Sequence, residues 1–208
     1  MDTNWAAEHL QVIRTLMERS AVYRRALAPI MLATGILGLA GAAAGYGLRL
    51  DTPAGFAGFW MGLSIVALAG AFLLARRQAL QADEPFWSPP TRRVTQALLP
   101  PLFVGMVAGM LHVIGSNYAF VPPHSLPLLW IFLYGFALQS AGFFMQRGIK
   151  LFGWLFILCG CALAAAITWV GSPPHLRYGH LEMGAVFGGL HLAYGSYLYC
   201  TENHKAVP

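Results

Sequence analysis

Long apolar segments alternate with short polar stretches along most of the chain. Each segment has the roughly 20 mainly apolar residues that an α-helix needs to cross the hydrocarbon core of a bilayer. Pro, Gly or charged residues mark every gap, as is typical of helix ends. The pattern predicts an all-α polytopic membrane protein with six transmembrane helices. The six segments are residues 27–48, 55–75, 94–115, 126–145, 151–170 and 181–200.

The first 24 residues follow a different pattern. Leu10, Ile13, Met17 and Ala21 recur at helical spacing, whereas most charged side chains fall on other faces. This periodicity predicts an amphipathic helix on the cytoplasmic surface of the membrane. It serves either as a topology anchor or as a docking helix for a partner. The predicted domains are an amphipathic helix at 1–24, a six-helix transmembrane domain at 25–200 and a cytoplasmic tail at 201–208.

The Lys and Arg residues indicate how the helices are oriented. With a cytoplasmic N-terminus, only Arg49 and Arg177 of the 13 basic residues lie in outer loops. Loops that carry Lys and Arg stay in the cytoplasm, so both termini are predicted to be cytoplasmic, in a bacterial inner membrane. The remaining 11 lie in cytoplasmic segments: Arg14, Arg19, Arg24, Arg25, Arg76, Arg77, Arg92, Arg93, Arg147, Lys150 and Lys205.

Composition supports the membrane assignment and excludes several functions. Charged residues make up 10% of the chain and hydrophobic residues 57%, whereas soluble domains carry roughly 25% charged residues. The net charge of +5 arises from basic residues at helix ends, so it does not indicate nucleic-acid binding. No nucleotide-binding loop or hydrolase motif is present. Within 27–200, Glu182 is the one acidic residue outside a loop, which argues against a proton-driven pump.

Glycines at four-residue spacing mark several helix faces. Small residues let helices approach closely in lipid, where van der Waals contact drives their association. The spacing predicts packing within the bundle, with a homo-oligomer or a protein partner on a glycine-rich face as the alternative. The sets are Gly35, Gly38, Gly41 and Gly45; Gly58 and Gly62; Gly105 and Gly109; and Gly184 and Gly188.

Most histidines fall at the predicted outer ends of the helices. Imidazole and carboxylate groups suit Zn²⁺ or another transition metal, so this set is a candidate metal site. Hydrogen bonding of interfacial histidines to the backbone is the alternative, because no two of them have ligand spacing on one helix. Glu182 is also a candidate proton or cation site, or one half of a boundary salt bridge. The metal candidates are His112, His124, His175, His180 and Glu182.

His191 lies about halfway along the sixth segment, some 16 Å from His180 at about 1.5 Å per residue. A polar group at this depth faces the bundle interior or a bound group. It is therefore a candidate cofactor ligand for haem or a chlorophyll-type pigment, or part of a cavity for a small apolar molecule. The structural alternative is a hydrogen bond to another helix, with candidate partners Thr34, Ser64, Tyr134 and Gln139.

Three short motifs carry a resemblance. Residues 13–20 read Ile-Arg-Thr-Leu-Met-Glu-Arg-Ser, 133–135 read Leu-Tyr-Gly, and 189–195 read Gly-Leu-His-Leu-Ala-Tyr-Gly. Together they resemble a family of small uncharacterised bacterial six-helix membrane proteins, in which an IRxxMERS start and an LHxxYG close recur. Members are often encoded beside a winged-helix regulator, which implies a stress or envelope role. The resemblance draws attention to Glu18, Arg19, Tyr134, His191 and Tyr194.

These patterns leave three functions open. The favoured one is a non-enzymatic accessory, scaffold or sensory subunit that acts with a partner, because catalytic motifs and buried charges are scarce. The first alternative is a protein that binds or transports a small apolar ligand, a lipid or a quinone. The second is a metal-, haem- or pigment-binding membrane protein that uses His191 or the outer histidines. No cofactor is required by the sequence.

Overall fold

The computed structural model describes residues 27–203 except 82, 84, 146 and 173, and this part of the chain is helical without β-strands. The predicted helix at 1–24, with Glu18 and Arg19, and the tail from 204 lie outside the described residues. Short 3₁₀ turns at Ser116–Tyr118 and Pro123–Ser125 join the third helix to the fourth. The helices are α1 (Leu27–Gly47), α2 (Pro53–Gln81), α3 (Pro89–Ile114), α4 (Leu126–Ala141), α5 (Arg147–Val170), α6 (Leu176–Met183) and α7 (Leu190–Asn203).

Within the described residues, four helices are long and apolar enough to cross a membrane: α1, α2, α3 and α5. The chain is thus an all-helical bundle of the membrane type, which confirms the predicted fold class but not the number of spans. The fourth segment, expected to reach residue 145, ends as a helix at Ala141 and has 16 residues. It spans about 24 Å at 1.5 Å per residue, which is shorter than the ~30 Å hydrocarbon core.

The sixth segment contains a change of helix type. α6 and α7 are joined by a π-helical turn at Gly184–Gly189, and Met183, Gly184 and Leu190 all keep right-handed helical φ and ψ. The three parts have 8, 6 and 14 residues, 28 in all, and form one continuous helix. We name this helix, from Leu176 to Asn203, the sixth rod. A π turn holds more residues than an α turn, so it changes which side chains share a face.

The backbones of α1 and the sixth rod meet directly along antiparallel faces. A Cβ atom on Gly38 would lie 3.0 Å from the Cα of Gly188, and one on Gly195 would lie 2.8 Å from the amide nitrogen of Leu32. One on Gly184 would collide with the side chain of Ala42. Main-chain atoms in contact gain dispersion energy that lipid cannot match at such an uneven surface. The prediction that these glycines pack within the bundle is confirmed.

The glycines of α2 are placed differently. A Cβ on Gly62 would have nothing within 4 Å, and one on Gly58 would meet only a methyl group of Val113 at 3.9 Å. The side chains that continue this face are also exposed, with Ile65 at 65% and Val66 at 58%. We name Gly58, Gly62, Ile65, Val66 and Ala69 the open α2 face. It is apolar, and the described residues leave it uncovered.

Two hydrophobic clusters form the core, one toward each end of the bundle. The first surrounds Ile131, Phe152 and Phe156 and includes the start of α1 and the end of the sixth rod. The second surrounds Phe56 and Trp60 and includes the end of α1 and the starts of α2 and α4. Each cluster is lined by aromatic rings, and each contacts a different buried histidine of the sixth rod.

The contact between α1 and the sixth rod predicts opposite results for two Gly→Ala substitutions. Gly38→Ala forces main-chain atoms apart, so we expect it to destabilise the protein by about 1–3 kcal/mol, as overpacking does. Gly62→Ala, the matched control, adds the same methyl group to open space and should not destabilise the protein. Unfolding of the purified protein in mild detergent, followed during SDS titration, measures both. Equal stabilities of the two variants would contradict the backbone contact.

Candidate functional site

Among the residues that the structure describes, three histidines are buried in the apolar bundle: His112, His180 and His191, with exposures of 1%, 0% and 1%. A buried polar side chain is stable only when its nitrogen atoms find hydrogen-bond partners. The partners therefore show what each histidine does. Two of the three bind other helices through their rings, and both of these lie on the sixth rod.

His191 joins the sixth rod to α4. Its Nδ1 lies 2.6 Å from the carbonyl oxygen of Phe187, and its Nε2 lies 2.8 Å from the hydroxyl of Tyr134. A carbonyl oxygen only accepts, so Nδ1 carries the proton, and the neutral ring accepts the Tyr134 hydroxyl proton at Nε2. The structural alternative for His191, with Tyr134 among the candidate partners, is confirmed as a hydrogen bond between helices.

Aromatic rings enclose this pair. Phe152 meets the His191 ring edge-on at 5.1 Å, Phe156 lies 5.6 Å away, and Phe187 stacks at 6.4 Å between centroids. We name His191, Tyr134 and these three rings the His191 node. A haem iron or pigment metal would have to displace Tyr134, because both nitrogens are already used. The geometry favours the structural role over the cofactor ligand that the sequence analysis also predicted.

Tyr194 belongs to the same end of the bundle. Its ring stacks on Phe152 at 4.7 Å between centroids, and its hydroxyl occupies the space that a Cβ on Gly148 would need. Phe152 thus contacts both His191 and Tyr194, two residues of the LHxxYG motif. Of the motif positions singled out in the sequence, Tyr134, His191 and Tyr194 are brought together through packing of the sixth rod on α4 and α5.

His180 joins the sixth rod to α2 and to the loop before it. The indole Nε1–H of Trp60 donates to Nδ1 at 2.9 Å, and Nε2 lies 3.2 Å from the carbonyl oxygen of Leu50. Because an indole only donates and a carbonyl only accepts, His180 is neutral with its proton on Nε2. Phe56 and Phe59 flank the ring at 4.8 and 5.9 Å. We name these five residues the His180 node.

The α1 helix makes room for the His180 ring. A Cβ on Gly45 would collide with the imidazole, so only glycine lets α1 approach this closely. The same stripe of glycines that places α1 against the sixth rod therefore also seats His180. Trp60 and Gly45 were not singled out as site residues from the sequence. An indole inside an apolar segment, whose N–H needs a partner when buried, was the available signal.

The π turn explains why the two nodes face different helices. His180 and His191 are 11 residues apart, and 11 residues of α-helix make three turns plus about 20°. A regular helix would therefore point both rings to nearly the same side. One extra residue in the turn at Gly184–Gly189 shifts the second ring by about 100°. His180 consequently meets α2, whereas His191 meets α4 and α5.

The other metal candidates make separate local contacts. His112 donates from Nδ1 to the carbonyl of Ala108 at 2.8 Å, and its Nε2 is buried without a hydrogen-bond partner. His175 is exposed at the start of α6, where its Nδ1 accepts from the backbone N–H of Arg177 at 3.3 Å. His124 lies half-buried in the second 3₁₀ turn.

The five metal candidates do not come together. Both nitrogens of His180 are used in hydrogen bonds, and Glu182 is half-buried two residues further along the sixth rod. In the described part of the chain, no group of three or more His, Cys, Asp or Glu side chains is placed to hold one metal ion. The histidines at this end act one by one, mainly as hydrogen-bonding groups.

Comparisons with known proteins identify no relative. No family model matches the chain, and no match is found among curated proteins or solved structures.

The His191 node predicts the effect of removing one hydroxyl. Tyr134→Phe leaves Nε2 of His191 buried without a donor, so we expect a loss of roughly 0.5–2 kcal/mol in the free energy of unfolding. Tyr197→Phe is the matched control, since Tyr197 is 62% exposed and packs only its ring beside Tyr194. SDS-titrated unfolding measures both variants. A Tyr134→Phe protein as stable as the control would mean that the hydrogen bond contributes nothing.

Proposed function

We propose that the protein is a non-enzymatic integral membrane subunit that acts through a protein partner, as a scaffold or as a sensory component. Its buried polar groups hold its own helices together, and a partner helix docks on the open α2 face. The observation that carries this proposal is the use of both ring nitrogens of His180 and of His191 in bonds between elements of the bundle. Side chains committed in this way are not free to bind a substrate or a cofactor.

Six membrane spans form part of the proposal. α4 is short, but it packs between α3 and α5, and Trp130 of α4 donates a hydrogen bond to the Gly105 carbonyl of α3 at 2.8 Å. The sixth rod is about 42 Å long at 1.5 Å per residue, enough to span with tilt. Six spans together with the distribution of basic residues support cytoplasmic positions for both termini. The resemblance of the motifs favours a bacterial inner membrane and a role in stress or in the envelope.

The open α2 face favours contact with a protein partner rather than with lipid alone. The glycine sets of α1 and of the sixth rod are consumed inside the bundle, and Gly105 and Gly109 are covered by Trp130 and Met61. Gly58 and Gly62 keep the same four-residue spacing, with open space above Gly62 and only a Val113 methyl group, at 3.9 Å, near a Cβ on Gly58. Close approach of a helix without a side chain between the backbones is the arrangement that such spacing allows.

Cysteine labelling tests the six-span topology. In a chain whose Cys159, Cys161 and Cys200 are replaced by Ser, we expect a membrane-impermeant maleimide to label Asn117→Cys and Ser172→Cys from outside intact cells. Gln81→Cys should react only after the membrane is opened. If α4 did not cross, residues 117 and 172 would lie on opposite sides. Labelling of only one of these two positions in intact cells would therefore overturn the six-span proposal.

Substitution on the open α2 face tests the partner. We expect extraction of native membranes with a lipid-preserving polymer to recover the protein with a stoichiometric partner, and Gly62→Leu to reduce this recovery at least tenfold. The fold should survive, because nothing lies within 4 Å of a Cβ atom on Gly62 in the bundle. Gly70→Leu is the control, since Gly70 also has open space around it and lies outside the defined face. A wild-type protein recovered alone would contradict the proposal.

A further inference from the structure

We propose that the pair formed by Trp60 and His180 is a proton-operated latch between α2 and the sixth rod. The latch is closed when His180 is neutral and opens when its Nδ1 takes up a proton. The inference does not depend on a partner, so it can fail while the proposed function holds, and the reverse is also true. It rests on the hydrogen-bonding capacities of the groups that surround one ring.

The closed latch requires an unprotonated Nδ1. The indole N–H of Trp60 donates to this atom over 2.9 Å, and Trp has no acceptor that could take its place. A proton on Nδ1 would set two donors against each other, so the bond cannot persist. The second bond, from Nε2–H to the Leu50 carbonyl, is the same in both protonation states. Protonation therefore releases α2 while the loop before α2 stays attached.

His191 shows why this behaviour is specific to His180. Its Nε2 accepts from the hydroxyl of Tyr134, and a hydroxyl both donates and accepts. If Nε2 gained a proton, the hydroxyl could turn and accept from it, and α4 would remain bonded to the sixth rod. The same protonation step thus breaks one contact between helices and preserves the other. Only the node with a donor-only partner works as a latch.

An acceptor for the charged ring lies next in the chain. Asp51 follows Leu50, whose carbonyl already contacts His180, and its Oδ1 is buried without a hydrogen-bond partner. An unpaired buried carboxylate oxygen is costly, and its charge favours a protonated imidazole nearby. The open state of the latch therefore loses the bond to Trp60 and gains attraction to the charge of Asp51. Asp51 is partly exposed, which gives protons a route to the ring.

The remaining groups around His180 set the balance between the closed and the open state of the latch. From α2, Phe56, Phe59 and Trp60 face the ring and none of them titrates as an acid or base near neutrality. From α1, Gly45 lies against the ring, and the next residue, Tyr46, carries the Arg177 guanidinium over its own ring at 4.1 Å.

Three charges act on this balance. On the sixth rod, Arg177 lies three residues before His180 and Glu182 two residues after it. Arg177 opposes a charged imidazole, whereas Asp51 and an ionised Glu182 favour one. The two acidic residues thus favour the open state of the latch, whereas the enclosing aromatic rings favour the closed state.

Nuclear magnetic resonance of the indole groups tests the latch directly. The full-length protein, labelled with ¹⁵N in its six Trp residues, is placed in lipid nanodiscs and titrated from about pH 8 to about pH 4, which brackets ordinary imidazole titration. Trp60→Phe identifies the Trp60 resonance. We expect that resonance to shift in one step during this titration, as its acceptor is lost. The Trp130 resonance, whose acceptor is a carbonyl, should stay in place.

Two variants separate the parts of the latch. A Gln at position 180 offers an oxygen to Trp60 and an N–H to Leu50 but does not titrate, so His180→Gln should abolish the Trp60 shift. Asp51→Asn removes the charge that stabilises the open state, so the midpoint should move to lower pH. Should His180→Gln not fold, the wild-type and Asp51→Asn titrations still decide the outcome. A Trp60 resonance that stays constant down to about pH 4, or a midpoint unchanged by Asp51→Asn, overturns the proposal.

Discussion

The backbone contact between α1 and the sixth rod is the constraint on which the rest of the structure depends. Lipid tails are as apolar as leucine side chains, so helices gain little by hiding apolar surface from them. Close packing must therefore hold the helices together. Here glycine, which has no side chain, lets the two backbones touch, as at Gly38 and Gly188. The first and last described helices are held together by this contact, which closes the bundle.

Both buried nodes follow from that contact. His180 fits beside α1 only because Gly45 leaves space for its ring. The π turn lies in the same stretch of the sixth rod, where Gly184 and Gly188 touch α1. Its extra residue directs one histidine toward α2 and the other toward α4 and α5. A rod without this turn would present both rings to one side and leave one core cluster without its polar link between helices.

The two nodes look alike but differ in one chemical respect. Each has a neutral imidazole enclosed by aromatic rings and bonded to a second helix. The partner is an indole in one case and a phenol in the other. An indole can only donate, whereas a phenol can also accept. This difference makes the first contact sensitive to protons and the second indifferent to them, although burial and packing are similar.

The sequence by itself determined the membrane class and the apolar segments, because hydropathy and the Pro or Gly residues at helix ends are local properties. It also identified Tyr134 as a candidate partner of His191, since few polar groups share that depth. Only the tertiary structure decided which glycines pack internally and which remain open, and that Trp60 meets His180. Those outcomes depend on the rotation of each helix about its axis. A single extra residue at Gly184–Gly189 changes that rotation by about 100°, and the hydropathy of the sequence does not reveal it.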